Sequence, residues 1–193
     1  MFKFDVSQSE MAQRILMAAE VLMAREGVQN LSTHKIAKEA KLSVGTIYVH
    51  FKDKDDLLTQ LVLFLFQRFY QDSMRHAAPG LPLFEQYRKM WLGKWHYLQN
   101  NPTIVMNMHQ YEALPKFHDV VKFCTSAEDM PWNQFLDRGR QTGEIANLPN
   151  NMIYALSFGV IRDLAYIQII EGIRYSEAMI EEMVERTWLA IRR

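Results

Sequence analysis

Between Ser32 and Phe51 the chain reads Ser-Thr-His-Lys-Ile-Ala-Lys-Glu-Ala-Lys-Leu-Ser-Val-Gly-Thr-Ile-Tyr-Val-His-Phe, two short helices around a three-residue turn with polar tips. Ile36, Ala37 and Ala40 on the first helix can pack against Ile47 and Phe51 on the second, with Leu42 plugging the turn. Gly45 and Val49 then project the opposite way, flanked by Thr46 and Tyr48, and leave one face for an outside partner. The chemistry open to that face is contact with a DNA major groove. Methyl groups of Val44, Thr46 and Val49 can touch thymine, and His34 or Lys35 can reach guanine. This helix has no Arg, Asn or Gln for a two-pronged base contact, so part of any sequence choice is expected from DNA shape.

Phosphate chemistry surrounds the segment. From Ser32 to Lys54 there are five cations (Lys35, Lys38, Lys41, Lys52, Lys54) against two anions (Glu39, Asp53), in a chain of formal net charge zero. A neutral chain thus carries a local basic footprint, from which Lys35, Lys38, Lys52 and Lys54 could displace phosphate counterions. Lys54 stands among Asp53, Asp55 and Asp56 at a helix start, against the dipole preference; an ordinary solvated lysine and a phosphate contact are both open readings.

Positioning such a head needs further helices. Ser7-Gln8-Ser9-Glu10 is a capping box, and Ala12, Ile15, Leu16, Ala19, Leu22 and Met23 follow at helical spacing until Gly27, which predicts a helix from about residue 8 to 26. Ser32 or Thr33 can cap the second helix and Ser43 the third. A fourth carries Leu57, Leu58, Leu61, Val62, Leu65, Phe66 and Phe69 to about His76 and links the head to everything after it. Beyond the break at Ala78-Pro79-Gly80-Leu81-Pro82, a stripe of Phe84, Tyr87, Trp91, Trp95 and Leu98 predicts a fifth helix, ending at Asn100-Asn101-Pro102. Helices are expected from Pro102 to about Ala113, from Pro115 to about Gln141 with a break near Pro131, from Asn150 or Asn151 to Gly172, and from Ser176 to the end of the chain. No strand is expected. The helix from 150 has little circumference suited to water, and the last two helices have more apolar surface than one subunit needs. A homodimer through these two helices, built as a four-helix bundle, is therefore expected.

Composition narrows the classes. An apolar share of 49% over 193 residues supports a real core. The run Leu61–Phe66 is too short to span a bilayer and the opening residues are not a secretory signal, so a cytoplasmic protein without a membrane role is expected. The single cysteine, Cys124, permits neither an intramolecular disulfide nor a thiolate metal cage. The six histidines show no Glu-x-x-His pairing or His-Glu-x-x-His cluster, and His109 with Glu112 is a reversed spacing. Neither a phosphate loop nor a nucleophile elbow is present, which leaves a helical-bundle enzyme as the weaker alternative. No cofactor or metal is expected.

The first fifty-odd residues resemble the DNA-binding head of TetR-type transcriptional regulators. The similarity runs from Arg14 to about Leu58 and is strongest in Thr33-x-x-x-Ile36-Ala37-x-x-Ala40-x-Leu42-Ser43-x-Gly45-Thr46-Ile47-Tyr48-x-His50-Phe51-x-x-Lys54-x-x-Leu57-Leu58. It implies an all-α fold: a three-helix N-terminal helix-turn-helix head (1–54) and a C-terminal ligand-binding and dimerisation domain of about six helices (55–193). It also implies that Thr33, Tyr48, His50 and Lys54 hold the DNA backbone while Val44, Gly45, Thr46 and Val49 approach base edges. Lys41 stands where the family commonly has glycine, so a positive backbone angle there is expected to carry a steric cost of about 1 kcal/mol. Further on, Gly139-x-x-x-Gly143-Glu144-Ile145 is a looser similarity.

The implied function is a ligand-responsive regulator, a repressor bound as a homodimer to a palindromic operator and released by a small effector; an activator of the same architecture is the alternative. A pocket of the fifth to eighth helices is expected to use Trp91, Trp95, Met106, His109, Tyr111 and Phe158, since aromatic and Met side chains suit apolar or flat ligands. Arg162 and Asp163 interrupt an apolar helix and need partners, either an ion pair across the dimer or a ligand carboxylate on Arg162.

Overall fold

The computed structural model describes residues 9–193, apart from the side chain of Thr125. Helix α1 (Glu10–Glu26) begins where Ser9 accepts the Ala12 N–H at 3.2 Å. Ser7 and Gln8 of the expected capping box lie outside the described residues. Helix α2 (Thr33–Glu39) is capped by Ser32 through the Lys35 N–H, and α3 (Val44–His50) by Ser43 through the Thr46 N–H. Each hydroxyl satisfies a backbone donor that the helix leaves open, worth about 1 kcal/mol.

The turn between α2 and α3 is a Schellman motif. Leu42 N–H reaches Ala37 O at 2.8 Å and Lys41 N–H reaches Lys38 O at 3.1 Å, which places Lys41 at φ 54°, the left-handed conformation expected of it. Packing follows from the pattern: α1 lies against α2 and α3, and Ile15, Leu16, Ala19, Met23, Ile36, Ala37, Ile47 and Phe51 are all buried. Helix α4 (Lys54–His76) starts with a reciprocal pair of carboxylates. Asp53 accepts the Asp56 N–H at 2.8 Å, and Asp56 accepts the Lys52 N–H at 2.9 Å.

Helix α5 (Leu83–Asn100) runs as predicted, but three stretches expected as single or loosely broken helices are each found as two. Residues 102–113 divide into α6 (Pro102–Met106) and α7 (Met108–Glu112), residues 115–141 into α8 (Phe117–Ser126) and α9 (Pro131–Gln141), and residues 150–172 into α10 (Asn150–Leu156) and α11 (Gly159–Glu171). The interruptions have side-chain causes. Asn107 sends its amide to Glu20 O at 2.8 Å, and Asn133 closes the α8–α9 loop by donating to Ala127 O at 2.7 Å. Ser157 bonds back to Ile153 O at 2.6 Å, leaving the helical region at ψ −81°. Helix α12 (Glu177–Ile191) is capped by Ser176. Among the described residues no strand forms, and the one sheet-like contact is an isolated bridge between Ile145 and Arg192.

Packing divides the chain into two compact units. The first runs through Phe69 and adds Met106–Lys122; the second comprises Tyr70–Val105 and Phe123–Arg193. In the second, α5 lies against α9, α11 and α12. Tyr87 is its centre: fully buried, it donates to Thr187 Oγ1 at 2.7 Å and its ring lies 5.8 Å from Phe158 and 5.4 Å from Trp188. Burial pushes the Tyr87 phenol well above its ordinary range, so it stays a neutral donor. Gly139 and Gly143 now have physical reasons. Gly143, at φ 75°, ends α9, and Gly139 leaves room for Ile145, whose Cδ1 would lie 2.3 Å from a Cβ there.

Replacing Lys41 by glycine relieves the left-handed strain and should raise stability by about 1 kcal/mol, a few degrees in thermal midpoint. Calorimetry that finds an unchanged or lower midpoint contradicts strain in this turn.

Candidate functional site

Helix α3 divides its side chains as the pattern requires. Ile47 and Phe51 are 1% and 3% exposed, whereas Tyr48 and Val49 are 54% and 79% exposed. Val49 is thus an apolar side chain held well out of a seven-residue helix whose back face is filled. Gly45, next to Ser43 Oγ, bares the backbone on the same side, and the Ser43 hydroxyl lies 2.9 Å from Thr46 Oγ1. Val44 and Thr46 are half-exposed at the N-terminal end.

The flanking polar residues are held individually. Thr33, buried at the first position of α2, has its hydroxyl 3.4 Å from the Tyr48 hydroxyl. His50, at the end of α3, has Nδ1 3.5 Å from Ser9 Oγ. His34 is exposed on α2. Lys35, also exposed, is engaged by Glu26 at 2.8 Å, and Arg25 bridges Glu26 and Glu39. Hydrogen bonds from Lys35 and then Arg25 hold the Glu26 carboxyl below the usual range. A phosphate or base would therefore have to compete with Glu26 for Lys35, which sequence reading missed; the signal was Glu26 lying at the end of α1. Lys54 is half-exposed at the first position of α4, beside the positive end of the helix dipole.

The residues expected to bind a ligand fall in both units. In the second unit Trp91 and Trp95 are buried with rings stacked 6.3 Å apart, and Trp95 also meets Tyr175. Phe158 is buried between Tyr87 and Trp132, the latter ring 4.4 Å away. Arg162 pairs with the adjacent Asp163 at 3.1 Å, and neither charge is deeply buried. In the first unit Met106 and His109 are exposed, His109 lying 3.9 Å from Glu112, while Tyr111 is fully buried and donates to Glu20 at 2.8 Å. Two surface concavities of the second unit, about 270 and 330 Å³, are lined by other residues, among them Phe84 and Trp188 in one and His76, Lys89 and His96 in the other.

Other chemistry was not legible beforehand. Lys94 donates to the Tyr154 hydroxyl and sits 4.8 Å from that ring's centroid and 5.7 Å from that of Phe158, a cation against an aromatic group. Trp91 Nε1 and Trp132 Nε1 are buried with no hydrogen-bond partner among the described residues. Burial pushes the Cys124 thiol up to about 11, with Asp129 adding to the shift, so it is protonated and unreactive at neutral pH. Among the described residues no group of three or more His, Cys, Asp or Glu is placed to hold a metal ion.

Helices α10 to α12 expose large apolar side chains beside their charged ones. Met152, Tyr154, Leu156, Tyr166, Ile170, Ile173, Met179 and Leu189 are each more than a third exposed. Residues Asn150–Glu171 are long and apolar enough to cross a membrane by length and composition alone, with a mean hydropathy of 1.4 over the most apolar stretch. Ser157 interrupts them.

Comparison with known proteins agrees with this geometry. Residues 15–61 match the model for bacterial regulatory proteins of the tetR family, and residues 82–192 match a tetracyclin repressor-like C-terminal domain. An HTH-type transcriptional regulator from Haemophilus influenzae, itself uncharacterized, is 36% identical over 187 residues, 97% of this chain and 98% of the relative. The crystal structure of a TetR-family transcriptional regulator from Haemophilus influenzae matches at 37% identity with a TM-score of 0.89, covering 97% of this chain and all of that one. The transcriptional regulator FadR from Bacillus subtilis, solved in complex with stearoyl-CoA, shares the fold at 20% identity and a TM-score of 0.74, over 91% of this chain and 96% of that one. With both parts matched and a relative of full length, the chain belongs to the TetR family of helix-turn-helix transcriptional regulators, DNA-binding proteins and not enzymes.

Proposed function

We propose that the protein is a ligand-released repressor that binds a palindromic operator as a homodimer in the cytoplasm. The observation that carries the reading is α3, whose Gly45, Tyr48 and Val49 face solvent while Ile47 and Phe51 anchor it from behind. Residues 1–54 form the DNA-binding part. Val44, Gly45, Thr46 and Val49 meet base edges, Thr33, Tyr48, His50 and Lys54 hold phosphates, and the exposed His34 and Lys35 join them. Residues 55–193 bind effector and partner subunit.

The exposed apolar surface of α10 to α12 supports pairing through the last helices, since side chains such as Tyr166 and Ile170 cost free energy in water that a second copy removes. For the effector we propose a site in the second unit, built on Trp91, Trp95 and Phe158 with Trp132, Tyr154 and Lys94. A flat or long apolar molecule with an acidic or acceptor group fits this chemistry. The rings supply apolar contact, Lys94 a counter-charge, and the two indole N–H groups lack acceptors. That a protein of this fold was solved with stearoyl-CoA makes acyl compounds one class to try. Arg162 is a second candidate for an acidic group.

A twofold dimer expects half-sites about one helical turn apart, or a little more. Binding should weaken with salt at a log–log slope near −0.9 per neutralised phosphate. Tyr48→Ala should lower affinity for a duplex selected from a random pool by about tenfold, with circular dichroism and oligomeric state unchanged. Equal affinity of variant and wild type removes Tyr48 from the interface. Ile170→Asp places a charge in the proposed dimer surface and should yield monomers in analytical ultracentrifugation; persistence of the dimer moves the interface elsewhere. Titrating aromatic acids and acyl compounds onto the protein–DNA complex tests release. If no apolar, aromatic or acidic compound dissociates it, the effector reading fails.

A further inference from the structure

Glu20 lies on the inner side of α1 among Leu16, Ala19 and Met23 and is 3% exposed. Its carboxylate accepts Arg68 Nη2 at 2.9 Å on Oε1 and 2.7 Å on Oε2, and the Tyr111 hydroxyl at 2.8 Å on Oε1. Around it, side chains from residues 107–110 take hold of the α1 backbone. Asn107, fully buried, donates to Glu20 O at 2.8 Å; Gln110 donates to Met23 O at 3.0 Å and to Asn107 Oδ1 at 3.1 Å, and accepts the Val28 N–H at 2.7 Å. All of this lies within the first unit.

The location of these partners matters. The chain passes between its two units after Phe69, after Val105 and after Lys122. Arg68 stands one residue before the first passage and Asn107 two residues after the second, and both end at Glu20. Arg68 holds the carboxylate and Asn107 the main-chain carbonyl of this one residue, on the helix that packs against α2 and α3.

We propose that Glu20, with Arg68, Tyr111 and Asn107, is the positioning junction that sets how α1, and with it the reading helix, is held, and so fixes the half-site spacing that the protein accepts. This rests on the repressor reading above. Stability is a poor explanation for the grouping of Glu20, Arg68 and Tyr111. A buried ion pair of this kind gains little over apolar residues of equal volume, and Arg68 Nε is buried with no hydrogen-bond partner among the described residues. What directional hydrogen bonds give that apolar packing does not is one fixed geometry.

The test separates geometry from stability. An operator selected by the wild-type protein is rebuilt with its half-sites moved by one and two base pairs either way. Affinities are measured for wild type, for Tyr111→Phe, and for the triple variant Glu20→Leu, Arg68→Met, Tyr111→Phe, alongside thermal unfolding. Wild type should lose about tenfold in affinity on a two-base-pair change. The triple variant should unfold at or above the wild-type temperature and bind the unaltered operator within about threefold, yet show a nearly flat response to spacing. Tyr111→Phe, which preserves the ring, should show part of that flattening and keeps the test decisive if the triple variant does not fold. Wild-type spacing dependence in the folded variants overturns the junction. A uniform loss of affinity at every spacing overturns it as well, since that is all a structural role predicts. A wild-type protein that selects no duplex, or is indifferent to spacing, overturns instead the dimeric repressor reading on which the junction rests.

Discussion

Seven residues are too few to hold a helix in water, because nucleating the first turn costs more than the few hydrogen bonds of so short a segment return. Helix α3 therefore exists only while Ile47 and Phe51 remain buried and Ser43 holds its first turn. Every contact attributed to its outer face depends on that inward anchorage. The same holds for α2, also seven residues, whose Ile36 and Ala37 are buried and whose last turn is closed by Lys41 in a left-handed conformation. The two helices and their turn are one object, and α1 is its support.

That dependence gives α1 its weight. Its apolar side packs the head, and within that side a single carboxylate collects a guanidinium and a phenol from segments 48 and 91 residues away in sequence. In the second unit the corresponding centre is Tyr87, neutral and bonded to Thr187, within a run of rings that includes Phe158, Trp132 and Trp188. One unit is organised around a charge and the other around aromatic packing. A charge network has few acceptable geometries, whereas stacked rings tolerate a range of offsets, which suits the first to a reading head and the second to a variable guest.

The head was legible in the sequence because its determinants are local: hydroxyl caps at Ser32 and Ser43, a three-residue turn, and an apolar pattern that sets Ile47 and Phe51 opposite Gly45 and Val49. The strain at Lys41 was legible for the same reason. The helix breaks at Asn107 and Ser157 were not, since neither is glycine or proline and each acts through a hydrogen bond chosen in the folded state. Tyr111 reads from its helix as one more aromatic group, and only the fold gives its hydroxyl to Glu20. A trace of that network was present, because a glutamate between Ala19 and Met23 on an apolar stripe must find a cation. The same logic applied to Arg162 and Asp163 leads to a pair of neighbours on a partly exposed surface. Charge within an apolar pattern marks a need for a partner without saying where it lies.

In the proposed complex two copies of α3 enter neighbouring major grooves on one side of a duplex. Hydroxyl-radical footprinting of the protein on its selected operator reads this directly. Two protected patches of equal size, related by a twofold axis and about one helical turn apart, are expected. A single patch, or continuous protection without symmetry, would contradict it.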